Sequence, residues 1–243
     1  MLNIGVVGCG FVGTAIAQGF KEVASIYSYD IDPSKKTHEI EQILADCKFI
    51  FVCLPTPMKP SPEKDADLSI IYNFFEEIKN NFPQKIKKPI FILKSTVPIG
   101  TTSDIKKKYS INIVHSPEFL TAKNALYDFL HPDRIVIGAQ EEKMAKEVEM
   151  LYRLVFKDTL VFSMTSDESE MVKYMANSFL CTKISFFNEM RLLSDKKNMD
   201  WSKIREGVIT DKRIGAGHTI ISENIKERAW GGACFTKDLN AFI

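Results

Sequence analysis

The chain has no apolar run near the roughly 18–20 residues that a bilayer-spanning helix requires. It also lacks charge of one sign: 32 basic residues stand against 31 acidic ones, a formal net charge of +1. Such a balance supplies no long-range field to draw in nucleic acid or an anionic membrane, so neither is expected as a partner. The N-terminus, MLNIGVVGCGFVG, has no basic leader and reads as a first strand. Cysteine is sparse and odd in number, at Cys9, Cys47, Cys53, Cys181 and Cys234, with no pair at CxxC spacing. The first four lie in or beside apolar segments and read as reduced, packed thiols of a cytoplasmic protein. Cys234 sits apart, in GGACFTKD at 231–238.

What is present is an ordinary globular composition, 45% hydrophobic and 26% charged, over 243 residues, which suits one large domain or two small ones. Short β-branched runs at 2–8, 25–30, 49–55, 90–95, 112–117 and 134–139 read as buried strands. Helical stretches lie between them at 12–20, 35–45, 68–80, 101–109 and 141–155, and 57–69 is a charged, proline-containing loop. This alternation predicts an α/β fold, a Rossmann-type, doubly wound parallel sheet. After about Thr165 the pattern becomes helical. A long helix from Ser166, opened by a Ser-Asp-Glu cluster that suits a cap, precedes shorter helices with glycine breaks. The expected domains are residues 1–160, nucleotide-binding, and 161–243, all-helical, with the long helix passing between domains or subunits.

GCGFVG places Gly8, Gly10 and Gly13 at GxGxxG spacing between a strand and a helix. Gly8 permits the tight turn, Gly10 lets a pyrophosphate approach the helix N-terminus, and Gly13 lets helix and strand pack closely. Phe11 and Val12 open that helix beside the phosphates. Asp30 ends the second strand about 20 residues on, where a carboxylate accepts ribose hydroxyls and repels a 2′-phosphate; the expected cofactor is therefore NAD. Lys35 is placed to neutralise phosphate nearby.

The remaining motifs each have a plain structural reading. CLPTP closes a strand on a proline turn, KSTVPIGT joins a strand to a helix cap, and SPEFL is a loop. Together and in order, at the C-terminal ends of predicted strands, they mark a ligand site. Lys173 and Asn177 are four residues apart, on one helix face, where an ammonium and an amide can hold a developing alkoxide. Lys173 is otherwise a solvated helix lysine, Cys234 a small buried hydrophobe, Asp238 a surface partner of Lys237, and Glu118 a loop carboxylate.

With HPDRIVIG, EMVKYMANSFLCTKISFFNE, DKRIG and GGACFTKD added, the sequence resembles the nucleotide-sugar dehydrogenases of the UDP-glucose 6-dehydrogenase type over nearly its whole length. The resemblance implies oxidation of a sugar C6 alcohol to a carboxylate with two NAD+ and no metal. It makes Cys234 the nucleophile, Lys173 and Asn177 the polar pair at the reaction centre, and Asp238 a base or lysine partner. Glu118 orients water or substrate, and Phe119, Leu120 and Gly231 flank the sugar nucleotide. Pro55, Thr56, Thr96 and Lys237 lie near the cofactor, and Arg213 reaches the nucleotide, across a subunit interface if the chain is a homodimer. Three departures accompany it: no third, UDP-binding domain follows the cysteine segment, the insert before CLPTP is short, and Ala122 stands where many members carry a glutamate. A two-electron β-hydroxyacid-type dehydrogenase remains open, as does a silent or split NAD-binding protein completed by a separate chain.

Overall fold

Seven short segments, rich in Val, Ile, Phe and Tyr, pair into one sheet. A computed structural model describes residues 2–60, 65–229 and 232–242. The strands are β1 (Leu2–Val7), β2 (Ala24–Tyr29), β3 (Phe49–Val52), β4 (Ile90–Leu93), β5 (Asn112–His115), β6 (Arg134–Gly138) and β7 (Leu160–Met164). Their order is β2-β1-β3-β4-β5-β6-β7, so the chain reverses its winding between β1 and β3. All six expected strands form. The seventh escapes sequence reading because it is an edge strand with no buried residue, and so carries no core pattern.

One expectation is corrected. The sheet is parallel from β2 to β5 and again from β6 to β7, but β6 meets β5 antiparallel, with His115 opposite Gly138. The connection between them spends its length on a loop and a six-residue helix, α5 below. At about 1.5 Å per residue that helix is too short to carry the chain back along the sheet.

Helices α1 (Phe11–Phe20), α2 (Ile40–Asp46), α3 (Ser69–Asn81), α4 (Thr101–Tyr109), α5 (Ala125–Leu130) and α6 (Glu142–Arg153) cover both faces. One core holds Phe20, Phe51, Phe129 and Tyr152 beneath α1, α5 and α6. The other holds Phe75, Phe91 and Tyr109 beneath α2, α3 and α4. Because strand side chains alternate, neighbours such as Val6 and Val7 serve opposite cores. All strands from β1 to β5 thus end at one rim, which collects the loops bearing the sequence motifs.

Helix α7 (Ser166–Lys196) follows β7 without a break of more than one residue. Thr165 and Glu168 form a reciprocal capping box: Glu168 accepts from the Thr165 amide at 2.7 Å, and Thr165 Oγ1 accepts from the Glu168 amide at 3.3 Å. The chain divides into two compact units inside this helix, Met1–Lys173 and Tyr174–Ile243. The sequence pattern places its change at 160/161, at the start of β7. The second unit contains the rest of α7, α8 (Trp201–Ile209) and α9 (Gly232–Phe242), with a small core of Phe187, Trp201 and Ile221. Among the described residues no helix is long and apolar enough to cross a membrane.

Gly138 ends β6 where α7 arrives. A Cβ there would stand 2.4 Å from Ser169 Cβ and 2.9 Å from both Ser166 Cα and Thr165 O, mostly backbone that cannot swing aside. Gly138→Ala is therefore expected to lower the unfolding free energy by about 1–3 kcal/mol, as overpacking does, read from urea denaturation. The same change at Gly207, where an added Cβ meets nothing within 4 Å, serves as the control.

Candidate active site

The glycine turn sits at the rim beside β1. Gly8 has φ +87°, a conformation that L side chains avoid, and a Cβ on it would stand 2.6 Å from Cys53 O. Gly13 presses its α-carbon against Gly8, leaving 2.0 Å between an added Cβ and Gly8 O. Gly10, by contrast, has nothing within 4 Å of that position and starts α1 without a side-chain cap. The amides at this N-terminus are thus left to an incoming ligand. Asp30 closes the turn: its carboxylate accepts from the Cys9 amide at 2.6 Å and the Asp32 amide at 2.9 Å. Phe11 is 44% exposed beside it, and Val12 is half-buried. Lys35, expected to meet phosphate, pairs with Asp32 at 3.6 Å on the surface. Thr56 is buried and donates to Thr96 O at 2.9 Å, tying the CLPTP and KSTVP turns together; Pro55 is exposed beside it. A cradle of this form fits a dinucleotide.

Further along the rim, α7 is fastened by its own side chains. Ser166 Oγ donates to Gly138 O at 3.2 Å, and Ser169 Oγ lies 2.9 Å from His115 Nδ1. Glu170 accepts from the Gly100 amide at 2.6 Å, the Thr102 amide at 2.8 Å and Thr102 Oγ1 at 2.5 Å, capping α4. Lys173 donates to Glu118 O at 2.6 Å and lies 3.3 Å from Glu118 Oε1. The other oxygen of Glu118 accepts from the Leu120 amide at 2.6 Å. Phe119 lies between the Arg134 guanidinium, 4.0 Å from its ring centre, and the Lys173 ammonium, 5.3 Å away. Of the residues singled out from sequence, Glu118, Phe119, Leu120 and Lys173 therefore form one cluster.

Burial sets the charge states around that cluster. His115 is fully buried, and loss of solvent takes its imidazole down to about 3, with the Lys94 and Lys173 charges acting in the same direction. It is neutral at any ordinary pH. Loss of solvent also pushes the Glu170 carboxyl up to about 7, outweighing the donors from Thr102 and Gly100. Sequence reading missed Lys94, His115 and Glu170. A lysine and a histidine closing otherwise apolar strands, and a glutamate one helical turn before Lys173, are the signals that would have found them.

The second unit holds a second cluster. Asn177 Nδ2 donates to Asp238 Oδ2 at 2.6 Å, and Lys237 pairs with the other oxygen of Asp238. All three are buried, Asp238 to 2% exposure. Cys181 is a free, buried thiol raised by desolvation and then by the Asp238 charge, which leaves it unreactive. Cys234 lies in the first turn of α9, four residues ahead of Asp238; its side chain and all of Gly231 lie outside the described residues. Arg213 stands apart, its side chain 90% exposed and forked to Asp211 at 2.6 Å.

Comparison with known proteins adds three kinds of likeness. Residues 34–156 match the NAD-binding domain of the UDP-glucose/GDP-mannose dehydrogenase family, and residues 167–243 match its central domain. The glycine turn precedes the first match and rests on its own geometry. An uncharacterized protein of Methanocaldococcus jannaschii is 33% identical over the whole chain, and UDP-glucose 6-dehydrogenase YwqF of Bacillus subtilis is 30% identical. The chain spans 30% of the first relative and 61% of the second. A solved UDP-glucose dehydrogenase from Pyrobaculum islandicum superposes with a TM-score of 0.86 at 30% identity, covering 99% of this chain and 63% of that one.

The Glu170 carboxyl carries a pH prediction. Its folded value of about 7 exceeds the ordinary 4.5, so between these values the native state holds a proton that the unfolded state has released. Its contribution to stability is complete below 4.5 and is lost as pH rises through 7. Unfolding free energy from this group is expected to fall by about 2 kcal/mol between pH 5 and pH 8. Glu170→Gln lacks that component, so parallel denaturant titrations should show the wild type losing about 2 kcal/mol relative to the variant over this range. A constant difference between them would refute the assignment.

Proposed function

The chain belongs to the UDP-glucose/GDP-mannose dehydrogenase family, and from that premise we propose that it oxidises the C6 alcohol of a nucleotide sugar, UDP-glucose first among candidates, to the carboxylate. The observation that carries the reading is a pair of buried groups one turn apart on α7. Lys173 is held by Glu118 in the first unit, and Asn177 is held by Asp238 in the second. Neutral surface residues have no need of such partners, whereas an ammonium and an amide kept in low dielectric suit an oxygen that gains charge as its carbon is oxidised.

Residues 34–156 match the family's NAD-binding domain. Gly8, Gly10, Gly13 and the start of α1 would hold the pyrophosphate, and Asp30 the ribose. NAD+ supplies, when bound, the acceptor for one hydride at each of two oxidations. The chain's own residues do the rest. Lys173 and Asn177 donate to the C6 oxygen while the alcohol gives up a hydride and a proton and becomes an aldehyde. The Cys234 thiolate adds to that aldehyde, forming a carbon–sulfur bond and a hemithioacetal oxygen held by the same two donors. Loss of a second hydride from this oxyanion leaves a thioester. Water, deprotonated by Asp238 or Glu118, breaks the carbon–sulfur bond, releasing the carboxylate and the thiol. Covalent capture keeps the aldehyde from leaving between the two oxidations.

The chain is further proposed to act as a homodimer through α7. Met175, Phe179, Phe186 and Leu193 recur at helical spacing along one side, each 50–66% exposed. A continuous apolar stripe of this kind is self-complementary when a second copy packs antiparallel upon it.

Two measurements test these readings. With limiting UDP-glucose (GDP-mannose and UDP-N-acetyl sugars in parallel) and excess NAD+, the protein should form two NADH per sugar. Cys234→Ala should abolish that stoichiometry, and Lys173→Met should slow turnover by roughly a hundredfold or more. One NADH per sugar, indifferent to Cys234, would mark a two-electron dehydrogenase instead. For the dimer, Phe179→Glu combined with Phe186→Glu should halve the mass found by light scattering; an unchanged mass places the interface elsewhere.

A further inference from the structure

Lys94 closes β4 and is buried to 6% exposure. Its ammonium has three neutral acceptors: Pro117 O at 3.2 Å, Tyr152 OH at 3.2 Å and Ser116 Oγ at 3.4 Å. The Tyr152 ring adds a cation–π contact at 5.7 Å. Among the described residues no carboxylate pairs with it. A buried charge without a counterion is expensive, and an apolar side chain of similar length would fill the space at lower cost. Packing alone therefore does not account for a lysine at this position.

The geometry of the loop supplies the account. The carbonyls of consecutive residues are each gripped by a different buried ammonium, Pro117 O by Lys94 and Glu118 O by Lys173. The peptide that carries Glu118 is thus suspended between two lysines. A half-open pocket of about 260 Å³ is bordered by Lys94, Ser116, Glu118, Leu120 and Tyr152. On that side the loop meets open space and not close-packed side chains, so hydrogen bonds set its position. Neighbouring His115 adds no competing charge, since it stays neutral and spends its Nδ1 on Ser169.

We propose that Lys94 is a positioning residue: its ammonium, through Pro117 O, sets where Glu118 meets Lys173, without itself touching substrate. The catalytic part of this inference rests on the dehydrogenase reading above; the anchoring part does not. Both can be read on the full chain. In Lys94→Met, which keeps the apolar stem, amide hydrogen exchange at residues 118–121 should rise at least tenfold while β1 and β3 keep their protection. The kcat for sugar-nucleotide oxidation should fall at least fiftyfold with KM for NAD+ within threefold, a split that general destabilisation would not produce. Tyr152→Phe, which leaves the bond to Pro117, should keep both readouts within threefold of wild type.

If Lys94→Met does not fold, Lys94→Arg decides. It keeps the charge but brings a longer, planar head into the same space, and should show raised exchange at 118–121 with at least a tenfold loss of kcat. Wild-type exchange in whichever variant folds overturns the anchor. Raised exchange with wild-type kcat overturns its role in catalysis. If wild-type protein oxidises no sugar nucleotide, the dehydrogenase reading fails, and exchange alone decides whether Lys94 holds the loop.

Discussion

The first two turns of α7 are held against the rim of the sheet by buried polar side chains, and the remaining features of the first unit depend on that attachment. Ser166, Ser169, Glu170 and Lys173 bond in turn to the end of β6, to His115 at the end of β5, to the start of α4, and to the loop after β5. Each bond contributes only about 1 kcal/mol net, more where a charge is involved. Their absence would leave several buried donors and acceptors unmatched, which is the larger effect. Gly138 is the steric counterpart, since no side chain fits where the helix crosses it.

Charge is rationed along this attachment. Desolvation keeps His115 neutral and works against ionisation of Glu170. Lys173 has Glu118 as its partner, and Lys94 has only neutral oxygens. Two ammoniums around one carboxylate leave the loop region electropositive. That suits an oxygen in the act of gaining negative charge, and low dielectric magnifies the effect.

Much of this was legible in the sequence because periodicity and glycine spacing report directly on geometry. The strand runs, the turn at Gly8 to Gly13 and the α4 limits follow from local pattern, and Lys173 and Asn177 share a face by simple counting. What escaped were features fixed by long-range contact. β7 has no buried residue and so no hydrophobic signature. The reversal of β6 depends on how a short helix spends its length. Lys35 and Arg213 are a different case: each pairs on the surface with an aspartate two or three residues away, which neither assigns nor removes a role toward cofactor or nucleotide. A sequence motif shows that a charge is present but not which neighbour takes it.

The stripe Ser166, Ser169, Glu170, Lys173, Asn177 advances by three, one, three and four residues, and so stays on one side of α7. Its first four members serve attachment, and Lys173 is also, with Asn177, one of the two groups proposed for chemistry. On that proposal attachment and chemistry share a single register. A helix that slipped or rotated to relieve strain at Gly138 would carry Lys173 away from Glu118 by the same motion. Such coupling explains why so much buried polarity is tolerated at one helix start. An apolar seam would bind α7 as strongly, but it would admit neighbouring registers, whereas directional bonds to four different partners admit one.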